Sequence, residues 1–142
     1  MNRERYTPDL ISALGPDEVF VFGSNALGHH GGGAALQAFE RFGAEWGMGE
    51  GPSGRTYAIP TLDAAHHRVT EEQLAESLGR FIAYVRQHPH NTFYLTLIGC
   101  GIAGWEPATV RRLLWQSIGD ESQLPDNLIL PRAFSRQEDD SE

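Results

Sequence analysis

The run Glu18-Val19-Phe20-Val21-Phe22-Gly23-Ser24-Asn25-Ala26-Leu27-Gly28-His29-His30-Gly31-Gly32-Gly33 decides how the chain is read. Glu18 to Phe22 is short, β-branched and aromatic, with little in–out alternation, as in a strand covered on both faces. Gly23 reads as its end. A glycine-rich loop follows, and Ala34 to Phe42 then reads as a helix. Ala35, Phe39 and Phe42 share one face of it, and Gly43 stands just past its end. Strand, loop and helix in this order open an α/β unit.

The alternation continues outward. Tyr57-Ala58-Ile59 reads as a short strand stopped by Pro60. Thr70 to about Gln87 predicts a helix, opened by Thr70-Glu71-Glu72-Gln73, in which Thr70 and Gln73 satisfy each other's free backbone donors. Leu74, Leu78, Phe81, Ile82 and Val85 form its apolar stripe, and Pro89 stops it. Phe93 to Ile98 predicts another buried strand. Pro107 suits a first helical turn and opens a helix carrying Val110, Leu113, Leu114 and Ile118. Asn127 to Leu130 is a candidate last strand. Together these predict an α/β fold, a three-layer α/β/α sandwich around a mainly parallel, mixed sheet. One domain is expected over 1–134, followed by an acidic tail, 135–142, that frays.

Ligands of such sheets sit beyond the carboxyl ends of the strands, which points to the loops after Phe22 and Ile98. Ten of the sixteen glycines fall between Gly23 and Gly54. Glycines lose more backbone freedom on folding than any other residue, so three in succession before a helix call for a reason. Close approach to an anion supplies one: amides of Gly31, Gly32, Gly33 and Ala34 would face a phosphate at the helix N-terminus. Ser24 and Asn25 would bond a ribose or phosphate oxygen. A long turn needing positive φ is the plainer alternative. The second loop is Gly99, Cys100, Gly101, Ile102, Ala103, Gly104 and Trp105, and two such loops at one edge would grip both ends of a diphosphate. Trp105 reads equally as a stacking partner or as packing. Arg55 would neutralise a phosphate or form a surface ion pair, and Thr61 and Asp63 would face the same rim.

Composition removes whole classes of function. The 142 residues carry a net charge of −8, which opposes general affinity for nucleic-acid backbone or an anionic membrane. The sequence contains no lysine, which excludes Schiff-base chemistry and a Walker-type phosphate loop. Cys100 is the single cysteine, so no intramolecular disulfide or cysteine-based zinc site can form. No apolar run approaches the roughly eighteen residues of a membrane span, and Met1 to Tyr6 lack the apolar stretch of a secretory signal. The expectation is a cytoplasmic protein without cofactor or membrane partner, its oligomeric state open. His29-His30 and His66-His67 invite a metal that Asp63 or Glu106 would complete, but adjacent loop histidines are usually solvated, and no metal is expected. His29 or His30 positioning a phosphate or water is the better use. Cys100, after an apolar strand, reads as inert.

The segments FGSNALGHHGGGAALQAFERFGA (22–44), YAIPT (57–61) and IGCGIAGW (98–105) resemble macrodomains, which bind ADP-ribose or hydrolyse its conjugates. The likeness is nearest to a bacterial and phage branch and to terminal ADP-ribose glycohydrolases with a Gly-Cys-Gly loop. It covers about Val19 to Leu114. It implies that Asn25 precedes the glycine-rich helix entrance and that Gly99 to Gly104 hold a diphosphate. Three departures go with it. Neither Asp9 nor Asp17 sits in the motif of an adenine-contacting aspartate. The lysine-dependent members have their lysine where this chain has Thr61-Leu62-Asp63, and their loop acid falls near Ala103.

Two functions follow from the resemblance. One is a module binding ADP-ribose, a related nucleotide or an ADP-ribosylated target. The other is an ADP-ribosyl hydrolase in which Asn25, Asp63, His30 or a substrate phosphate orients a water. A Rossmann-like phosphoribohydrolase is a third reading, weakened because Pro-Gly-Gly-x-Gly-Thr is absent.

Overall fold

Strand β1 (Glu18–Asn25) is the middle of a five-stranded sheet, and its residues alternate between two separate cores. The structure is a computed structural model describing residues 6–101 and 103–135. Along the chain follow α1 (Gly33–Arg41), β2 (Gly51–Ser53), β3 (Thr56–Leu62), α2 (Glu71–Gln87), β4 (Thr92–Leu95), α3 (Pro107–Ile118) and β5 (Leu128–Ile129). The strand order is β2-β3-β1-β4-β5. β3, β1, β4 and β5 are parallel, and β2 alone runs antiparallel, on the edge beside β3.

Val21 points into a core with Tyr57, Ile59, Phe93 and Leu95, closed by α2 and α3 through Leu78, Phe81, Val110 and Leu114. Phe20 and Phe22 point the other way, against Ala38 of α1, Phe42 at its C-cap and Ile11 of the N-terminal segment. The sheet thus lies between helices on both faces, a mixed α/β sandwich. Double coverage removes the solvent-facing side, which is why β1 shows so little alternation.

Several boundaries differ from the sequence reading. β1 continues through Gly23 to Asn25. A Cβ on Gly23 would lie 3.1 Å from the Gly99 backbone nitrogen, so this glycine serves close packing of the second loop rather than a strand end. β3 also runs on through Pro60 to Leu62. Its partner β2 ends where Gly51 pairs with Ala58, so Pro60 lies beyond that ladder and its missing N–H is harmless. β4 stops at Leu95, earlier than the expected Ile98, because Thr96 to Gly101 turn away. The capping box at Thr70 forms as expected: Thr70 Oγ1 accepts from Gln73 N at 3.0 Å and Gln73 Oε1 from Thr70 N at 2.9 Å. Gly43, at φ 87°, follows α1. Apart from Ser135, the tail at 135–142 lies outside the described residues. No described helix is long and apolar enough to cross a membrane.

Candidate ligand cleft

The chain leaves β1 toward β3 by way of α1 and reaches β4, on the other side of β1, by way of α2. The order therefore reverses about β1, and a crevice opens beyond the carboxyl ends of β1, β3 and β4. It is a cleft of about 460 Å³ lined by Gly23 to Asn25, His29, Gly31 to Ala35, Thr61, Leu62, His66, Thr96 to Gly99, Gly101 and Ala103. That volume suits a nucleotide-sized ligand.

Both glycine loops meet here. Gly31, Gly32 and Gly33 are exposed, and a Cβ on any of them would meet no atom within 4 Å. Gly32 stands as the N-cap of α1 without a side chain to cap it. The amides of the first helical turn, which have no partners inside the helix, therefore open onto the cleft wall. Across the cleft, Gly99 has φ 75°, and a Cβ there would come within 2.8 Å of Trp105 Cδ1. Gly101 again faces open space.

The strand ends are shaped by an irregularity. Register between β1 and β3 shifts between Ser24 and Asn25, which pair with Pro60 and Leu62, so Thr61 is the extra residue of a bulge. Thr61 Oγ1 donates to Ser24 O at 3.3 Å. The Ser24 hydroxyl donates to Gly49 O. Asn25 is committed at both ends, with Nδ2 donating to His29 O at 2.9 Å and Oδ1 accepting from His29 N at 3.0 Å.

Other singled-out residues stand elsewhere. His30 is fully buried and outside the cleft lining; its Nε2 bonds Glu45 O at 2.8 Å, and its ring meets Phe22 edge-on at 5.3 Å. His29, its neighbour, is the one at the cleft. Asp63 lies beside the cleft, not in its lining, and its carboxylate accepts from Ala65 N and His67 N, both at 2.9 Å. Those bonds hold the carboxyl below its ordinary range, the His67 amide most strongly. The turn they make carries His66 into the cleft wall at φ 67°, a conformation uncommon for a non-glycine residue. Sequence reading had no signal for that, because the strain comes from the Asp63 turn.

In the second loop, Trp105 is buried and its Nε1 donates to Thr61 O at 3.2 Å, so the ring braces the strand end instead of facing the cleft. Cys100 turns inward, its thiol pushed up by burial, and neither it nor Gly104 lines the cleft. Ile102 lies outside the described residues. Arg55 is not a cleft residue: its guanidinium donates to Leu14 O at 3.0 Å and Gly15 O at 2.9 Å, tying down the N-terminal segment. Among the described residues no group of three metal-ligating side chains converges.

No protein-family model matches the sequence, and no curated protein matches it. Solved structures do. A protein of unknown function from Bacteroides thetaiotaomicron superposes with a TM-score of 0.58 at 12% identity, over 84% of this chain and 90% of that one. A macrodomain protein from Streptomyces coelicolor superposes with a TM-score of 0.55 at 14% identity, over 86% of this chain and 93% of that one. The fold is macrodomain-like. Within this macrodomain-like fold, β1 and its two flanking strands present Asn25, the α1 entrance and the second glycine loop to one space.

Proposed function

We propose that this macrodomain-like protein binds ADP-ribose, or a closely related nucleoside diphosphate, in the cleft at the ends of β1, β3 and β4. The observation that carries this is the convergence of Gly31 to Ala34 and of Gly99, Gly101 and Ala103 on one cavity. The uncapped start of α1 offers amide donors and the positive end of a helix dipole to an anion. Hydrogen bonds to a charged group contribute about 1.5–3 kcal/mol each. The overall charge of −8 does not exclude this, because no carboxylate is among the residues lining the cleft.

Binding is favoured over hydrolysis by what the lining contains. Its ionisable side chains are His29 and His66. Asn25 already spends both ends of its carboxamide on His29, and Asp63 spends its carboxylate on a turn. The protein is therefore read as a reader of ADP-ribose, free or attached to a target, and not as a glycohydrolase.

Calorimetry with ADP-ribose, ADP and NAD tests the ligand, and incubation with ADP-ribosylated protein and DNA tests turnover. Saturable ADP-ribose binding without release supports the reader. Release of ADP-ribose that is lost on Asn25→Ala, in a folded variant, would establish the hydrolase. No binding of ADP-ribose would end both.

A further inference from the structure

An aromatic shelf lies against the cleft and is left open by the fold. Trp46 is 52% exposed and Phe39 41% exposed, unusual for two large rings in contact. The two meet edge to face at 5.4 Å. His29, which lines the cleft, stacks on Trp46 at 5.3 Å with the ring planes 18° apart. Shelf and cleft are thus one continuous surface. Its support is firm: buried His30 meets Trp46 edge-on at 6.0 Å, and Gly47 N donates to Gly28 O at 2.9 Å, joining the two loops. Exposed aromatics held on a fixed base mark a contact surface.

Charge selects the occupant. The chain carries −8 overall, and Glu45, exposed, immediately precedes Trp46. The net negative charge disfavours a nucleic-acid strand and favours a cationic segment, and an exposed indole attracts a cation in its own right. Guanidinium stacks flat on such rings more readily than ammonium does.

We propose that the Trp46–Phe39 shelf docks an arginine side chain of a positively charged protein segment, so that the ADP-ribose entering the cleft is carried on protein. This rests on the reading of the cleft as an ADP-ribose site. The test compares free ADP-ribose, a basic arginine-containing peptide bearing ADP-ribose, and an ADP-ribosylated oligonucleotide, by calorimetry on the full chain. The wild type should bind the modified peptide roughly three- to tenfold more tightly than free ADP-ribose, the range of a partly desolvated cation–π contact. Trp46→Ala should abolish that gain, lowering the affinity for the modified peptide by more than that for free ADP-ribose. Glu45→Lys, which leaves the rings in place, should reduce it too, and added salt should shrink it. Equal affinity for peptide and free ADP-ribose would overturn the proposal, as would preference for the oligonucleotide or an equal loss of both ligands in Trp46→Ala. If free ADP-ribose fails to bind the wild type, the cleft reading falls and takes the shelf with it. If it binds and the peptide gains nothing, the shelf proposal falls alone.

Discussion

Asn25 clamps the backbone of His29 from both sides, its Nδ2 on the carbonyl at 2.9 Å and its Oδ1 on the amide at 3.0 Å. The clamp fixes the loop between β1 and α1 just where it turns toward the three glycines. An asparagine at this place suggested a group that touches substrate. Its geometry makes it first a brace for the cleft wall.

Asn25→Ala should therefore weaken ADP-ribose binding about tenfold or more while the protein stays folded. Two hydrogen bonds at about 1 kcal/mol each set the scale of the stability loss, toward the lower end because the site is exposed. Asn25→Asp keeps the acceptor for His29 N but sets a carboxylate against His29 O in the cleft wall, so it should weaken binding of the anionic ligand at least as much. Calorimetry with parallel thermal melts separates the two effects, and unchanged affinity in Asn25→Ala would remove the loop from the binding site.

Gly31→Val offers a sharper separation. A Cβ there meets nothing within 4 Å, and Gly31 is not among the positive-φ residues. Stability should change by no more than about 0.5 kcal/mol. The added isopropyl group would occupy space that the proposed phosphate needs, so binding should be lost. Gly33→Ala should behave differently, since φ is 58° and a left-handed alanine costs roughly 1–2 kcal/mol. Finding Gly31→Val as tight a binder as the wild type would place the anion elsewhere.

Gly99→Ala should destabilise by about 2 kcal/mol or more. The position combines φ 75° with a Cβ 2.8 Å from Trp105 Cδ1 and 3.2 Å from Thr61 Cγ2, and both neighbours are buried. The indole would have to shift, so its bond to Thr61 O should weaken and tryptophan fluorescence should change. Gly101→Ala, in open space, should leave the melt unchanged.

Cys100 gives a chemical check on the same loop. Burial pushes its thiol up, and the thiolate is the reactive form. Alkylation at neutral pH should be slow in the native protein and fast after denaturation, and Cys100→Ser should bind ADP-ribose as the wild type does. Rapid native alkylation would mean that Cys100 is not the inert, inward-turned thiol described above.

What the sequence disclosed was what local chemistry decides. The unalternating run Val19 to Phe22, the Thr70 capping box and Pro107 at a first helical turn each form as read, because a few neighbouring residues specify them. Gly23 and Pro60 do not end their strands. Whether either ends a strand depends on what lies beside it: Gly99 packed against Gly23, and the early finish of β2 beside Pro60. The same holds in the cleft. The glycines could be assigned to it from their positions after two strands, but the inward turn of Trp105 and the division of His29 from His30 depend on long-range partners, Thr61 and Glu45.

Acid should loosen the rim through Asp63. Its amide bonds to His67 and Ala65 hold the folded carboxyl below the ordinary value of 3.8, so the ionised form favours the folded state. A depressed carboxyl contributes stability that is fully present above its unfolded value and is lost as pH falls through the folded one. The wild type should therefore lose more of its melting temperature between about pH 6 and about pH 3 than Asp63→Asn does, since the amide has no proton to take up there. Only below the folded value should the two curves converge. This turn carries His66 to the cleft, so Asp63→Ala, which removes the oxygen that accepts from both amides, should weaken ADP-ribose binding near neutral pH. Parallel melting curves across that range would mean that the Asp63 carboxylate does not hold the turn.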